Sequence, residues 1–412
     1  MPAVSRAARA GSLLAVGALA LAACEQVPSQ AVTRCESTQV VPAAVKTDIL
    51  FVIDDSISMD EEQANLRDNL NAFITALVAA PVANEFQIGI TSTSVEDYGA
   101  TATSGQAYTS GPATGKPFPD GALIAIQQSS PGVAVPGDIL WKSGTGFEGT
   151  RILTASSPSL VDDFKANVRV GTYGTFKEQP FRAARLALSD RIADGTNAGF
   201  LRSGARLAVV FVSDEDDCSD TAAPFAVDDV DCHNPGFKAS SLDSIGDVVT
   251  FLRDPIDGER REVVVASIVG VDPASGEPSC ATCANDVCGT ALDGGLRFTE
   301  LASALGSVRT RTGSICDASF KSILEDIAGL LVAQSVPLQG TPADWRMLAV
   351  GVDRAGLETI PCTVALDGTA EAATAGAVYT PPLSGRPATV TFQNACRLQQ
   401  GDRVQLQLIC AG

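Results

Sequence analysis

The chain has 412 residues, 45% of them hydrophobic and 19% charged, the balance of a folded globular protein rather than a disordered one. Acidic residues outnumber basic ones 48 to 29, for a net charge of −19, which argues against nucleic acid as a partner because phosphate binding draws on Lys and Arg. That sign suits calcium, magnesium or a basic partner, and the length suits one large core or two ordinary ones.

At the N-terminus, Arg6 and Arg9 precede the apolar run "SLLAVGALALAAC", which ends on Cys24 and is too short for a stable bilayer span. Small residues before a cysteine at this place resemble the lipobox of bacterial lipoproteins. The resemblance implies cleavage of a signal peptide over residues 1–23 and acylation of Cys24. It also implies a lipid anchor in a bacterial cell envelope, with the outer membrane as the expected one. The plainer alternative is a secreted protein cut after Ala23. Committing Cys24 to lipid leaves Cys35, Cys218, Cys232, Cys280, Cys283, Cys288, Cys316, Cys362, Cys396 and Cys410. Ten cysteines in an exported chain read as a disulfide framework. Connectivity does not follow from sequence; Cys218 with Cys232 would close a short loop and is the best single choice. The "CATC" spacing of Cys280 and Cys283 invites zinc or redox chemistry, but no histidine is near and the compartment favours a disulfide.

Residues 24–46, with Pro28 and Pro42, read as a tether. A main domain is expected over 47–335. Its strand candidates are "DILFVID" (48–54), "FQIGITS" (86–92), "LAVVFVS" (207–213) and "EVVVASIVG" (262–270), continuously apolar as in a parallel sheet buried on both faces. Between them, apolar residues recur with helical period: Leu66, Leu70, Phe73, Ile74 and Leu77; Phe181, Ala184, Leu188 and Ile192; Leu242, Ile245, Val249 and Leu252; Phe298, Leu301 and Leu305; Phe320, Leu324, Ile327 and Leu331. The alternation predicts an α/β fold, a doubly wound, Rossmann-like, mostly parallel sheet. Residues 94–160 interrupt it with Gly, Ser, Thr and Pro and read as a long loop insertion. Within it "GPATGKP" (111–117) is no P-loop, since the spacing is one short and Pro117 stands where Ser or Thr should be. Over 336–412, alternation in "RMLAVGVD", "ATVTFQ" and "DRVQLQLIC" predicts a small antiparallel β-rich unit.

Two predicted strands end in oxygen-rich loops. The first presents Asp54, Ser56 and Ser58 as D-x-S-x-S; the second presents Asp214, followed by Glu215, Asp216 and Asp217. Carboxyl ends of neighbouring strands in such a sheet converge on one crevice, where clustered carboxylates and hydroxyls invite a hard divalent cation. A helix starting near Asp60 adds amide donors behind Ser58. The acids Asp216 and Asp217 are expected to be solvated loop residues rather than a second site.

Together "FVIDDSISM", "GTFKEQPFRAARLAL" and "VVFVSDEDD" resemble the von Willebrand factor type A (vWA) domain, with its metal-ion-dependent adhesion site (MIDAS). The resemblance covers about residues 47–333. It implies a metal set of Asp54, Ser56, Ser58, Thr175 and Asp214, with Thr172 as the other register for the threonine. Mg2+ is the first expectation and Ca2+ or Mn2+ the alternatives. Glu215 departs from the glycine usual after the last acid. The implied function is metal-dependent protein or surface recognition, a partner protein supplying a carboxylate to the ion, with the membrane reached through the lipid. No nucleic acid, no small-molecule cofactor and no enzymatic activity are expected.

Two other classes stand beside this reading. One is a structural subunit of an envelope complex whose metal site is degenerate or does not switch. The other is a metal-dependent hydrolase. Against the latter, no G-x-S-x-G, H-E-x-x-H or Walker A motif occurs, and the single histidine, His233, lies in a loop-like "DCHNPG".

Overall fold

The structure is a computed structural model that describes residues 34–40, 44–80, 83–96, 107–142, 146–220, 242–332, 334–382, 387–399 and 401–409. Cys24, the N-terminal apolar run, Cys232, His233 and Cys410 lie outside them, as does the side chain of Cys35. The strands are numbered in chain order: β1 (Arg34–Val40), β2 (Ala44–Ile53), β3 (Ala83–Ser92), β4 (Ile126–Ser130), β5 (Val133–Ile139), β6 (Ile152–Thr154), β7 (Arg206–Val212) and β8 (Val263–Val269). They continue with β9 (Thr310–Ser314), β10 (Gln334–Pro337), β11 (Ala349–Asp353), β12 (Ile360–Cys362), β13 (Val364–Leu366), β14 (Ala377–Thr380), β15 (Thr389–Phe392) and β16 (Arg403–Ile409).

A six-stranded sheet in the order β6-β3-β2-β7-β8-β9 forms the centre. All its pairs are parallel except β3 with the edge strand β6. Strand β2 shows why so apolar a run folds this way. Ile49, Phe51 and Ile53 enter the core on one face, while Leu50 and Val52 enter the core on the other. On the first face Phe51 meets Phe73 and Phe164, from the helices Asp60–Val78 and Leu160–Asn167, at ring separations of 5.7 and 5.3 Å. On the second face Phe181, Phe211 and Phe298 form a matching cluster under the helices Pro180–Leu188 and Leu296–Leu305. Helices Ile245–Arg253 and Lys321–Val332 complete the two layers. The chain is thus mixed α/β with a mostly parallel central sheet. The four strands read from sequence are present, and β6 and β9 are added at the edges. β6 is only three residues long and β9 carries polar residues, so neither reads as an apolar run.

The 94–160 segment is more ordered than its composition predicts. Residues 126–139 form the antiparallel pair β4 and β5, and Tyr108, Phe118, Leu123 and Ile124 are buried in the main core. Its Gly-rich turns carry left-handed backbone, as at Gly111 and Gly115, while several of its apolar residues, Ile139 and Leu153 among them, are buried.

Residues 334–409 and β1 form two further four-stranded sheets, β1-β16-β11-β12 and β10-β15-β14-β13, around their own core. The expected tether is corrected here: Arg34–Val40 is not a free linker but pairs antiparallel with the last strand, β16. The unit is also not wholly antiparallel, since β13 and β14 run parallel. It docks at the amino ends of the central strands: Ser335 bonds Glu262, just before β8, and Arg397 donates to the carbonyl of Gly329. The carboxyl ends of those strands face away from it. Cys280–Cys283, Cys288–Cys316 and Cys362–Cys396 are disulfides, and Cys218 is also disulfide-bonded.

Candidate metal centre

The loops leave β2, β7 and β8 at one level. The Asp54 amide donates to the carbonyl of Val212 (2.9 Å) and the Ser213 amide to that of Ile268 (3.1 Å), so Asp54 and Asp214 arrive side by side. One oxygen of Asp54 accepts the Ser56 amide at 2.7 Å, closing the turn that aims both serines. Its other oxygen accepts the Ser213 hydroxyl at 2.6 Å. The Ser56 and Ser58 hydroxyls lie 3.1 Å apart, and Ser58 donates to Asp214 Oδ1, also at 3.1 Å. The structure therefore joins Asp54, Ser56, Ser58 and Asp214 in one hydrogen-bonded group. Ser58 is half-buried at its mouth, and the other three are shielded from solvent.

The electrostatics of the group are uncompensated. Burial, then the charge of Asp54 and of Glu215, pushes the Asp214 carboxyl up to about 8. Burial also raises Asp54, against the hydrogen bonds from Ser213 and Ser56 that lower it. Asp214 Oδ2 is buried and has no hydrogen-bond partner. An unsatisfied buried oxygen costs roughly 1–3 kcal/mol, more when charged, so the fold holds it there at a loss. Carboxylate and hydroxyl oxygens with one acceptor left over are the donor set of a hard divalent ion, and these residues fit such an ion.

Thr175 sits one shell away. Its amide donates to Ser94 Oγ (3.0 Å), and Ser94 donates to Asp55 (2.8 Å); the Thr175 hydroxyl accepts the Lys177 amide at 3.1 Å. Gly174 makes this approach possible: a Cβ there would lie 2.4 Å from Asp55 Oδ1. The structure thus brings the Thr175 loop against the Asp54 loop, while among the described residues its hydroxyl makes no hydrogen bond to the other four. Thr172 lies on the same loop and is half-buried.

Several residues that hold this crevice were not singled out by sequence. Gln63 donates to the carbonyls of Asp54 (2.9 Å) and Gly171 (2.7 Å), latching the two loops together. Glu62, one helical turn past Ser58, is buried with Oε2 unpartnered, and burial raises its carboxyl. Asp55 is wholly buried and pushed up to about 6, by burial and by Asp54. It accepts from Ser94, from Thr93 and, at 2.9 Å, from Tyr108 of the insertion. The signal for Glu62 was available: it stands four residues after Ser58, about one helical turn on, in the first turn of the helix Asp60–Val78.

One expectation is overturned. Asp216 and Asp217 are not solvated loop residues; both are fully buried. Asp217 accepts the Phe181 amide at the start of helix Pro180–Leu188, accepts both the amide and the hydroxyl of Ser219, and pairs with Arg297 Nε at 3.0 Å. Asp216 accepts the Arg297 amide at 3.0 Å. They anchor two helix starts, where unpaired amides make a carboxylate favourable.

Cys280, Cys283 and Asp293 also bring possible ligand atoms within 4.8 Å of one another, but the two sulfurs are joined as a disulfide. No described helix is long and apolar enough to cross a membrane.

No protein-family profile and no curated protein sequence matches the chain. Among solved structures it is similar to proximal thread matrix protein 1 from the mussel byssus, at 12% identity over 71% of this chain and 50% of that one, with a TM-score of 0.31. It is also similar to the pilus adhesin SpaC from Lactobacillus rhamnosus GG. In an open conformation of that protein the match has 12% identity over 90% of this chain and a TM-score of 0.36. In a second crystal structure of that protein it has 12% identity over 89% of this chain and a TM-score of 0.37. The chain spans half or less of the length of these proteins, 50% of the first and 39% of the second.

Proposed function

We propose that this chain carries a von Willebrand factor type A domain whose MIDAS binds a divalent ion, Mg2+ first, and that it recognises a protein partner through that ion. We further propose that a lipid on Cys24 holds it at a bacterial cell envelope. The observation that carries the reading is the buried, unpartnered Oδ2 of Asp214 beside Asp54, Ser56 and Ser58. Such a group is stable only with protons or a cation at its centre.

Ser56 and Ser58 would hold the ion through their hydroxyls. Asp54 orients Ser56 through its amide, and Asp214 orients Ser58 through its hydroxyl. Thr175 would join from the neighbouring loop. When bound, the ion supplies a Lewis-acidic point that a carboxylate from the partner completes. Gln63 and Asp55 keep the two loops in register whether or not the partner is present. The C-terminal sheets dock at the opposite ends of the strands, so they do not cover the crevice, and half-buried Ser58 stands at its mouth.

The test is calorimetric titration of Mg2+, Ca2+ and Mn2+ into the detergent-solubilised full chain, with Asp54→Ala as control. Saturable binding at one ion per chain, lost in a variant that still unfolds cooperatively, is the expected result. No heat with any ion would remove the reading. A partner complex that survives chelator would favour the structural-subunit role.

A further inference from the structure

The strands carrying the crevice are followed by a 25-residue loop, 271–295, and its contacts converge on one bond. The amides of Leu292 and Asp293 both donate to the Asp214 carbonyl, at 2.9 and 3.1 Å. They clamp the acid from behind. The next residue, Gly294, packs on a sulfur: a Cβ there would lie 3.3 Å from Cys283 Sγ. The Cys280 and Cys283 sulfurs and the Asp293 carboxylate lie within 4.8 Å of one another. The Ala281 amide, inside the Cys280–Cys283 ring, donates to the carbonyl of Ala291 at 3.0 Å. The disulfide and the Asp214 clamp are therefore one packed unit.

We propose that Cys280–Cys283 is a site of thiol–disulfide exchange with a dithiol reductant, and that opening it loosens the Leu292–Asp293 clamp on Asp214. This rests on the metal-site reading for its consequence at the ion, though not for the exchange itself. Two features fit the pair for exchange, and a third sets it apart from Cys288–Cys316, where Cys316 is likewise half-buried and the Thr290 hydroxyl lies 3.0 Å from its sulfur. Cys283 is half-buried while Cys280 is 1% exposed, and Ala281, Thr282 and Ala284 around them face solvent, so Cys283 is the side from which a thiolate would attack. The Thr282 hydroxyl lies 3.6 Å from Cys280 Sγ, placed to donate to the thiolate that leaves. The bond spans only 3 residues, against 28 for Cys288–Cys316 and 34 for Cys362–Cys396, so it restrains the unfolded chain least and its loss leaves the fold standing.

The exchange balances. A reductant thiolate attacks Cys283 Sγ and the Cys280–Cys283 bond breaks, leaving a Cys280 thiolate that takes up a proton. The reductant's second thiol then displaces Cys283 as a thiol and closes the reductant into its own disulfide. Two electrons pass from the dithiol to the protein. Short-looped and half-buried at Cys283, the pair is free to cycle while Cys288–Cys316 and Cys362–Cys396 persist.

The test is a dithiothreitol titration of the full chain in detergent, followed by differential alkylation and peptide mass spectrometry, with hydrogen exchange on the same samples. Cys280 and Cys283 should become alkylated at a dithiol concentration about tenfold below that needed for Cys288 and Cys316. At that point the Leu292 and Asp293 amides should exchange about tenfold faster. The variant C280S/C283S should reproduce the faster exchange without reductant, and adding excess Mg2+ should slow it again. Alkylation of Cys288 and Cys316 first, or opening of Cys280–Cys283 with unchanged exchange at 292–293, overturns the proposal. Faster exchange that Mg2+ fails to reverse keeps the redox site and counts against the metal reading instead.

Discussion

Asp214 and Asp217 stand three residues apart on one loop, and both are wholly buried. Asp217 is surrounded by donors: two amides, a hydroxyl and the Arg297 guanidinium. Asp214 has one hydroxyl, an oxygen with nothing, and the charges of Asp54, Glu215 and Glu62 for neighbours. The difference teaches which acids this fold uses and which it holds ready. A carboxylate answered on every side is architecture; one left unanswered among the described residues at the end of a central strand is the candidate for binding something else.

The sharpest way to test that contrast is to remove each acid. Asp217→Ala should cost about 3–5 kcal/mol, because it strands a buried Arg297 charge and uncaps the helix at Phe181. Denaturant unfolding would read this as a lower midpoint, with ion binding impaired only as far as folding is. If Asp217→Ala unfolds like the wild type, the two acids do not differ in kind.

Asp214→Asn should move the other way. The amide keeps an oxygen for Ser58 and needs no proton taken up on folding, so the ion-free protein should gain on the order of 2 kcal/mol at neutral pH. The pH dependence follows from the raised carboxyl. Between the ordinary value of 3.8 and about 8, the folded state keeps a proton on Asp214 that the unfolded state has lost. Stability contributed by this group is therefore present at low pH, falls as pH rises through that window, and is flat above it. The difference in unfolding free energy between Asp214→Asn and wild type should grow from pH 4 to pH 8 without ion. Excess Mg2+ should reverse it, since the ion replaces the proton and binds better as pH rises. A difference that stays constant over that range would mean the carboxyl is not held protonated.

Much of this contrast was legible before any coordinates. D-x-S-x-S after an apolar strand named Asp54, Ser56 and Ser58, and the second acidic strand end named Asp214, because strand-end chemistry is local in sequence. What sequence could not separate was Asp214 from Asp217. Their difference lies in Arg297 and Phe181, 83 and 33 residues from Asp214 and brought in by two helices of one face. The same limit hid β1, whose partner β16 stands at the far end of the chain. The 94–160 segment misled for another reason: its glycines report turns, while the few residues that matter, such as Tyr108, carry no period.

Tyr108 gives the smallest of the expected effects and tests whether the insertion serves the crevice. Its hydroxyl donates to Asp55 Oδ2 at 2.9 Å, and Phe118 packs edge-on against its ring at 5.0 Å. Tyr108→Phe keeps the packing and removes one donor. The cost should be about 1 kcal/mol at pH 8, where Asp55 is ionised and left short of a donor. It should shrink at pH 5, below the value of about 6 to which Asp55 is pushed, because the carboxyl then carries its own proton. Paired unfolding curves at the two pH values read this directly. An equal cost at both would assign Tyr108 to the core alone, whereas a cost confined to high pH ties the insertion to the Asp55 turn, and through Ser94 to the loop that presents Thr175.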